Sequence, residues 1–142
     1  MKNFLFDNRI NILFLFISLF FLVGVLGIEN ISFKSTKWLY GTNDAALHQL
    51  GWHFFKNDIW RFPLGNNPTY GGDISSSIVY TDSIPILALF FKLFKSFIPV
   101  NFQYFSFWYL ICIYLQLFFS FKILKKFTNS VPHSLIGSLF FL

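Results

Sequence analysis

The chain has 142 residues, 55% hydrophobic and 23% aromatic, with 12% charged residues and a formal net charge of +5. An ordinary soluble domain carries about 25% charged residues, and a chain this short has too little interior to hide so much apolar surface. The composition argues against a water-soluble globule, and against a disordered chain, which needs low hydrophobicity and high charge.

Residues 10–28 form an uncharged run, INILFLFISLFFLVGVLGI. At about 1.5 Å per residue it reaches across most of a hydrocarbon core of about 30 Å. It exceeds the usual core of a signal peptide, about 7–15 residues, so we read it as a transmembrane helix. Lys2 and Arg9 precede it. Residues 102–124 form a second span, with Tyr104, Trp108 and Tyr109 near its start and Lys122 near its end. Aromatic rings suit the interface, and a terminal lysine can snorkel to the headgroups. A third apolar segment starts near Val131 and still runs at Leu142. The expected fold is an all-α membrane protein, with two full transmembrane helices and the start of a third. The chain reads as the N-terminal part of a longer polytopic protein.

Residues 84–98 are opened by Pro85, closed by Pro99 and carry Lys92 near the middle. Fifteen residues rise only about 22 Å, and a central lysine is costly in lipid. Ala88, Lys92, Lys95 and Ser96 share one helical face, and Ile86, Leu87, Phe90, Phe91, Leu93, Phe94 and Phe97 fill the rest. The pattern predicts an interfacial helix with its lysines outward. Residues 1–9 and the 125–130 turn, carrying Lys125 and Lys126, then fall on the cytoplasmic side. Residues 29–101 become one extracytoplasmic loop with short interfacial helices. The basic residues are thus sorted by topology rather than gathered into a nucleic-acid patch, and no nucleic-acid partner is expected. The bilayer is the expected partner, and the bacterial inner membrane the expected location.

That loop holds Glu29, Asp44, Asp58, Asp73 and Asp82, five of the six acidic residues, together with His48 and His53. Thr42 or Asn43 should cap a helix running to about Lys56. Asp44, His48, Trp52 and Phe55 then fall on one stripe. A carboxylate one turn from an imidazole suits an acid–base pair or two metal ligands, and Trp52 could stack on a sugar. The same stripe also fits an N-terminal Asp favoured by the helix dipole, with His48 and Trp52 packing. Arg61 lies between Trp60 and Phe62, where it could hold a phosphate or anchor in headgroups. Asn66 to Asp73, including Tyr70, is dense in turn formers and reads as a binding loop or a plain connection. Thr81-Asp82-Ser83-Ile84-Pro85 reads as a cap followed by a helix-starting proline, with Asp82 as the cap. The sequence carries no phosphate-cradling P-loop, GxGxxG, nucleophile elbow or HExxH, and lone Cys112 has no disulfide partner.

The stretch from Asp44-Ala45-Ala46-Leu47-His48 through Pro63-Leu64-Gly65, Tyr70-Gly71 and Thr81-Asp82-Ser83-Ile84-Pro85 resembles an uncharacterised family of bacterial polytopic membrane proteins. The order of first span, acid-bearing loop, Pro-led interfacial stretch and basic-ended second span resembles the membrane-embedded C-type glycosyltransferases, which use lipid-phosphate sugar donors. That resemblance implies transfer of a sugar from a polyprenyl-phosphate donor to a glycan or protein acceptor. It implies Asp44 as general base with His48 assisting, and Lys56 or Arg61 balancing phosphate charge. Trp52, Tyr70 and Asp73 would complete substrate binding. Those enzymes often carry paired acids in this loop. Here Asn43 precedes Asp44, so a divalent metal ion is left open as a cofactor. The competing expectations are a non-enzymatic transporter or flippase for lipid-linked glycans, or an assembly subunit.

Overall fold

A computed structural model describes residues 2–41 and 43–142. The chain is mostly helical and divides into two compact units, residues 1–31 with 105–142, and residues 32–104. Of the two proposed caps, Thr42 lies outside the described residues and Asn43 is the first residue of the helix it was to cap.

The first unit contains α1 (Lys2–Leu26), α4 (Phe105–Thr128) and α5 (Val131–Leu139). Two helical stretches are long and apolar enough to cross a membrane, Asn8–Leu26 and Phe105–Thr128. The second begins three residues later than the apolar run suggests, because Phe102, Gln103 and Tyr104 are buried in the other unit. Ile10 and Phe14 of α1 pack against Leu117 and Phe121 of α4, with the Phe14 and Phe121 rings edge to face at 5.4 Å. Hydroxyls inside these helices are satisfied locally: Ser18 Oγ donates to Phe14 O at 2.7 Å and Ser120 Oγ to Gln116 O at 2.7 Å. Such back-bonding is the cheapest way to carry a hydroxyl where water is absent. The third apolar segment forms α5, whose small residues Ser134, Gly137 and Ser138 share a face. Ser134 and Ser138 are buried, and Gly137 lies so close to Leu124 of α4 that a Cβ would meet the leucine side chain. Small residues of this kind let two helix backbones approach closely.

The second unit is built on α2 (Asn43–Asn57) and α3 (Pro85–Leu93). Helix α2 ends within one residue of its expected position. Trp52 and Phe55, on its inner face, are buried with Leu39, Ile78, Ala88, Phe102 and Tyr104. The Trp52 ring stands edge-on to Tyr104 at 5.0 Å, and Phe91 stacks on Tyr104 at 5.3 Å. Tyr104 Oη donates to Ser83 O. The turn-rich loop contains a two-residue antiparallel ladder, β1 (Asn66–Asn67) with β2 (Ser76–Ser77), paired Asn66 to Ser77 and Asn67 to Ser76. Asn67 is fully buried, and its Nδ2 donates to Gly51 O at 3.1 Å. The loop is therefore bound to α2 as an ordered part of the unit.

Three expectations for residues 81–98 are corrected. The helix is nine residues long and gives way to turns after Leu93. Asp82 is not its cap: Ile84 occupies that position, without a side-chain cap bond, and Asp82 is exposed. Ser83 is drawn inward instead, its Oγ donating to His48 O at 2.7 Å. Lys92 does not face water. It is 1% exposed, its Nζ 3.8 Å from the Phe55 ring centroid and donating to Ile59 O at 3.2 Å. The side left outward is the apolar one, with Ile86, Phe90, Leu93 and Phe97 all exposed.

Gly51 of α2 lies close against Thr81 of the Ile78–Thr81 turn. A Cβ there would overlap the buried Thr81 side chain. Gly51→Ala should therefore lower stability by about 1–3 kcal/mol through overpacking, read as a fall in melting temperature in neutral detergent. Gly41→Ala, where a Cβ meets no neighbouring atom within 4 Å, should change it little.

Candidate functional site

Helix α2 carries Asp44, His48, Trp52 and Lys56 along its length, and the fold gives its two ends different chemistry. At the N-terminal end, Asp44 is exposed in the first turn. One turn on, His48 is half-buried, and its Nδ1 lies 2.8 Å from Thr81 O. That carbonyl accepts from Nδ1 when the proton is there, which orients the ring. Ser83 Oγ, Thr81 Oγ1 and His48 O form a short polar chain beside it, with Thr81 Oγ1 and Ser83 Oγ 2.7 Å apart. Asp44 and His48 are thus brought onto one face, with an accessible carboxylate and a positioned imidazole.

Trp52 is not available to stack on a sugar. It is fully buried, donates from Nε1 to Phe102 O at 3.0 Å, and packs against Phe102 and Tyr104. Tyr70 is half-buried, its ring 5.4 Å from Phe54. Asp73 is exposed in the Gly72–Ile74 turn.

The C-terminal end of α2 is basic. Lys56 is buried and its Nζ donates to Val100 O at 2.6 Å and Pro99 O at 3.2 Å. Arg61 grips Asp58 with two hydrogen bonds, Nε to Oδ2 at 3.1 Å and an Nη to Oδ1 at 3.4 Å. Lys92 reaches Ile59 O, and Lys95 reaches Asp58 O at 3.3 Å. Carbonyls just past a helix C-terminus attract cations in this way. Two clefts open here. One of about 310 Å³ is lined by His53, Phe54, Asn57, Asp58 and Thr69. The other, of about 260 Å³, is lined by Lys56, Asn57, Lys95, Ser96, Ile98 and Val100.

Twelve residues of helix separate Asp44 from Lys56, about 18 Å. A base at Asp44 and a phosphate partner at Lys56 or Arg61 therefore do not meet at one reacting centre within this unit. Among the described residues, no three His, Cys, Asp or Glu side chains cluster to hold a metal ion.

Sequence reasoning missed Lys92, Lys95 and Asp58 as parts of this cluster. The signal was the shared face of Ala88 and Lys92: a small apolar residue in line with a lysine marks a side packed against something.

The electrostatics follow from burial. The Arg61 guanidinium beside Asp58 holds its carboxyl below the usual range, against an opposing effect of desolvation. Desolvation lowers Lys56, and lowers Lys92 to about 8, with Asp58 opposing and Lys95 and Arg61 reinforcing. Desolvation and the nearby Lys56 charge also lower His53. Between pH about 8 and the ordinary lysine value, the unfolded chain keeps the Lys92 proton and the folded chain has released it. Stability contributed by this group therefore rises with pH across that window. Melting temperature in neutral detergent should increase from pH 7.5 towards 10, and Lys92→Met should flatten that slope.

Residues 15–142 match the family model described as DUF6311, a domain of unknown function. No curated protein matches the chain, and no solved structure matches it. With the match covering all but the first fourteen residues, the chain belongs to the DUF6311 family.

Proposed function

We propose that this chain is part of a multi-pass, glycosyltransferase-like membrane protein. It moves a sugar from a polyprenyl-phosphate donor to an extracytoplasmic glycan or protein acceptor. The observation that carries this reading is the pairing of exposed Asp44 with His48, one turn apart, the latter held at Thr81 O. Support comes from the order of parts, in which a polar loop unit stands between two stretches long and apolar enough to span a membrane.

In the proposed reaction Asp44 takes the proton of the acceptor hydroxyl as its oxygen attacks the anomeric carbon. The bond from that carbon to the phosphate oxygen breaks, and the lipid phosphate leaves with its electron pair. His48, oriented through Nδ1, positions the acceptor or shares the proton. Lys56, at the far end of α2, and Arg61, beyond that end, lie too far from Asp44 to balance the charge of the leaving phosphate. Groups outside this loop unit would have to do so. The proposed location is the bacterial inner membrane, with residues 1–9 and 125–130 cytoplasmic and residues 29–101 outside.

In the full-length protein, Asp44→Asn should reduce sugar transfer from a polyprenyl-phosphate donor by about 10²–10⁴-fold, with expression and membrane insertion unchanged. Full activity in that variant would remove Asp44 from the chemistry and favour a transport or assembly role. Topology is tested separately. Reporter fusions after Pro99 and after Lys126 should report opposite sides of the membrane, the first external. A cytoplasmic signal from the Pro99 fusion would overturn the proposed arrangement.

A further inference from the structure

We propose that the cleft lined by Lys56, Asn57, Lys95, Ser96, Ile98 and Val100 binds a phosphate group. This site is separate from the Asp44 end of α2 and does not depend on sugar transfer. Four cations meet at the C-terminal end of α2: Lys56, Arg61, Lys92 and Lys95. Asp58 alone opposes them, and both its oxygens are engaged by Arg61. Arg61 forms its salt bridge with Asp58, whereas the hydrogen bonds of the three lysines go to neutral backbone carbonyls. Buried Lys56 is satisfied by two carbonyls but has no counter-charge. A buried ammonium in that state favours an anion beside it.

The cleft offers what a tetrahedral anion needs. Lys56 and Lys95 line it together with Ser96 and Asn57, and its volume of about 260 Å³ admits one phosphate with water. Its surroundings point to the source. Val100, in the cleft lining, is 71% exposed, and Phe94, next to Lys95 in the chain, is 45% exposed. Apolar side chains flanking a cationic cleft suit a phosphate at the head of an acyl chain. The shared chemistry is the phosphate oxygen, and a soluble phosphate would use the same donors.

The test uses the full chain in neutral detergent with dioleoylphosphatidylglycerol, dioleoylphosphatidylcholine or sodium phosphate as probe, bound ligand being read by native mass spectrometry. Lys95 is exposed and Lys34 is an exposed lysine in another part of the same unit. The unaltered chain should retain phosphatidylglycerol in preference to phosphatidylcholine. Lys95→Gln should weaken that retention about fivefold, Lys95→Arg should restore it, and Lys34→Gln should leave it unchanged. Lys95-dependent binding of sodium phosphate without phosphatidylglycerol binding would support the site and assign it a soluble ligand. Equal loss in Lys95→Gln and Lys34→Gln, or no Lys95-dependent binding of either anion, would overturn the proposal.

Discussion

Burial of Lys92 sets the arrangement of the loop unit. A lysine withdrawn from water needs its proton donors satisfied and its charge offset. Here Ile59 O accepts from Nζ, the Phe55 ring lies beneath it at 3.8 Å, and Trp60 lies at 5.0 Å. Those groups sit at the end of α2 and just beyond it, so satisfying the lysine draws α3 against α2. Ala88, one turn earlier on the same face, is small enough to allow the contact and is fully buried. Once that face turns inward, Ile86, Phe90 and Leu93 on the rest of the helix are left exposed. The helix is amphipathic in reverse, and its apolar side is the one offered to the surroundings.

The same geometry divides α2 into two chemical ends. The first turn presents a carboxylate to solvent, with an imidazole held one turn below by a backbone carbonyl. The last turn gathers ammonium and guanidinium groups around carbonyl oxygens and one carboxylate. Between them the helix face is filled by Trp52 and Phe55, both buried against aromatic neighbours. An apolar middle of this kind keeps the acidic and basic ends about 18 Å apart. Acid–base chemistry and anion binding are therefore natural to opposite ends of one helix, and not to a single pocket.

The long apolar helices follow a simpler rule. Their side chains are largely exposed, and their few internal hydroxyls bond to their own carbonyls. Both features suit a surrounding solvent that offers no hydrogen bonds. The α4–α5 contact uses Ser134, Gly137 and Ser138 for close approach, and Thr128 Oγ1 lies 2.9 Å from Ser134 Oγ. Large side chains at those positions would hold the helices apart.

The apolar runs, the α2 helix and the common face of Ala88 and Lys92 were legible from order and spacing alone, whereas Lys95 falls beyond the end of α3. Helical periodicity and hydropathy are local properties, so they survive without knowledge of the fold. The direction in which a face points is not local. Whether Lys92 met water or Phe55 depended on where α2 ended, and Trp52 became core because Phe102 and Tyr104, some fifty residues later, closed over it. Asn67 read as a turn former, yet its side chain is spent on Gly51 O inside the unit. Asp44 and His48 kept their sequence-derived relationship because one helical turn joins them. Lys56, Lys92 and Lys95 became a cluster only through tertiary packing, since contacts between residues more than thirty positions apart leave no periodic trace in a sequence.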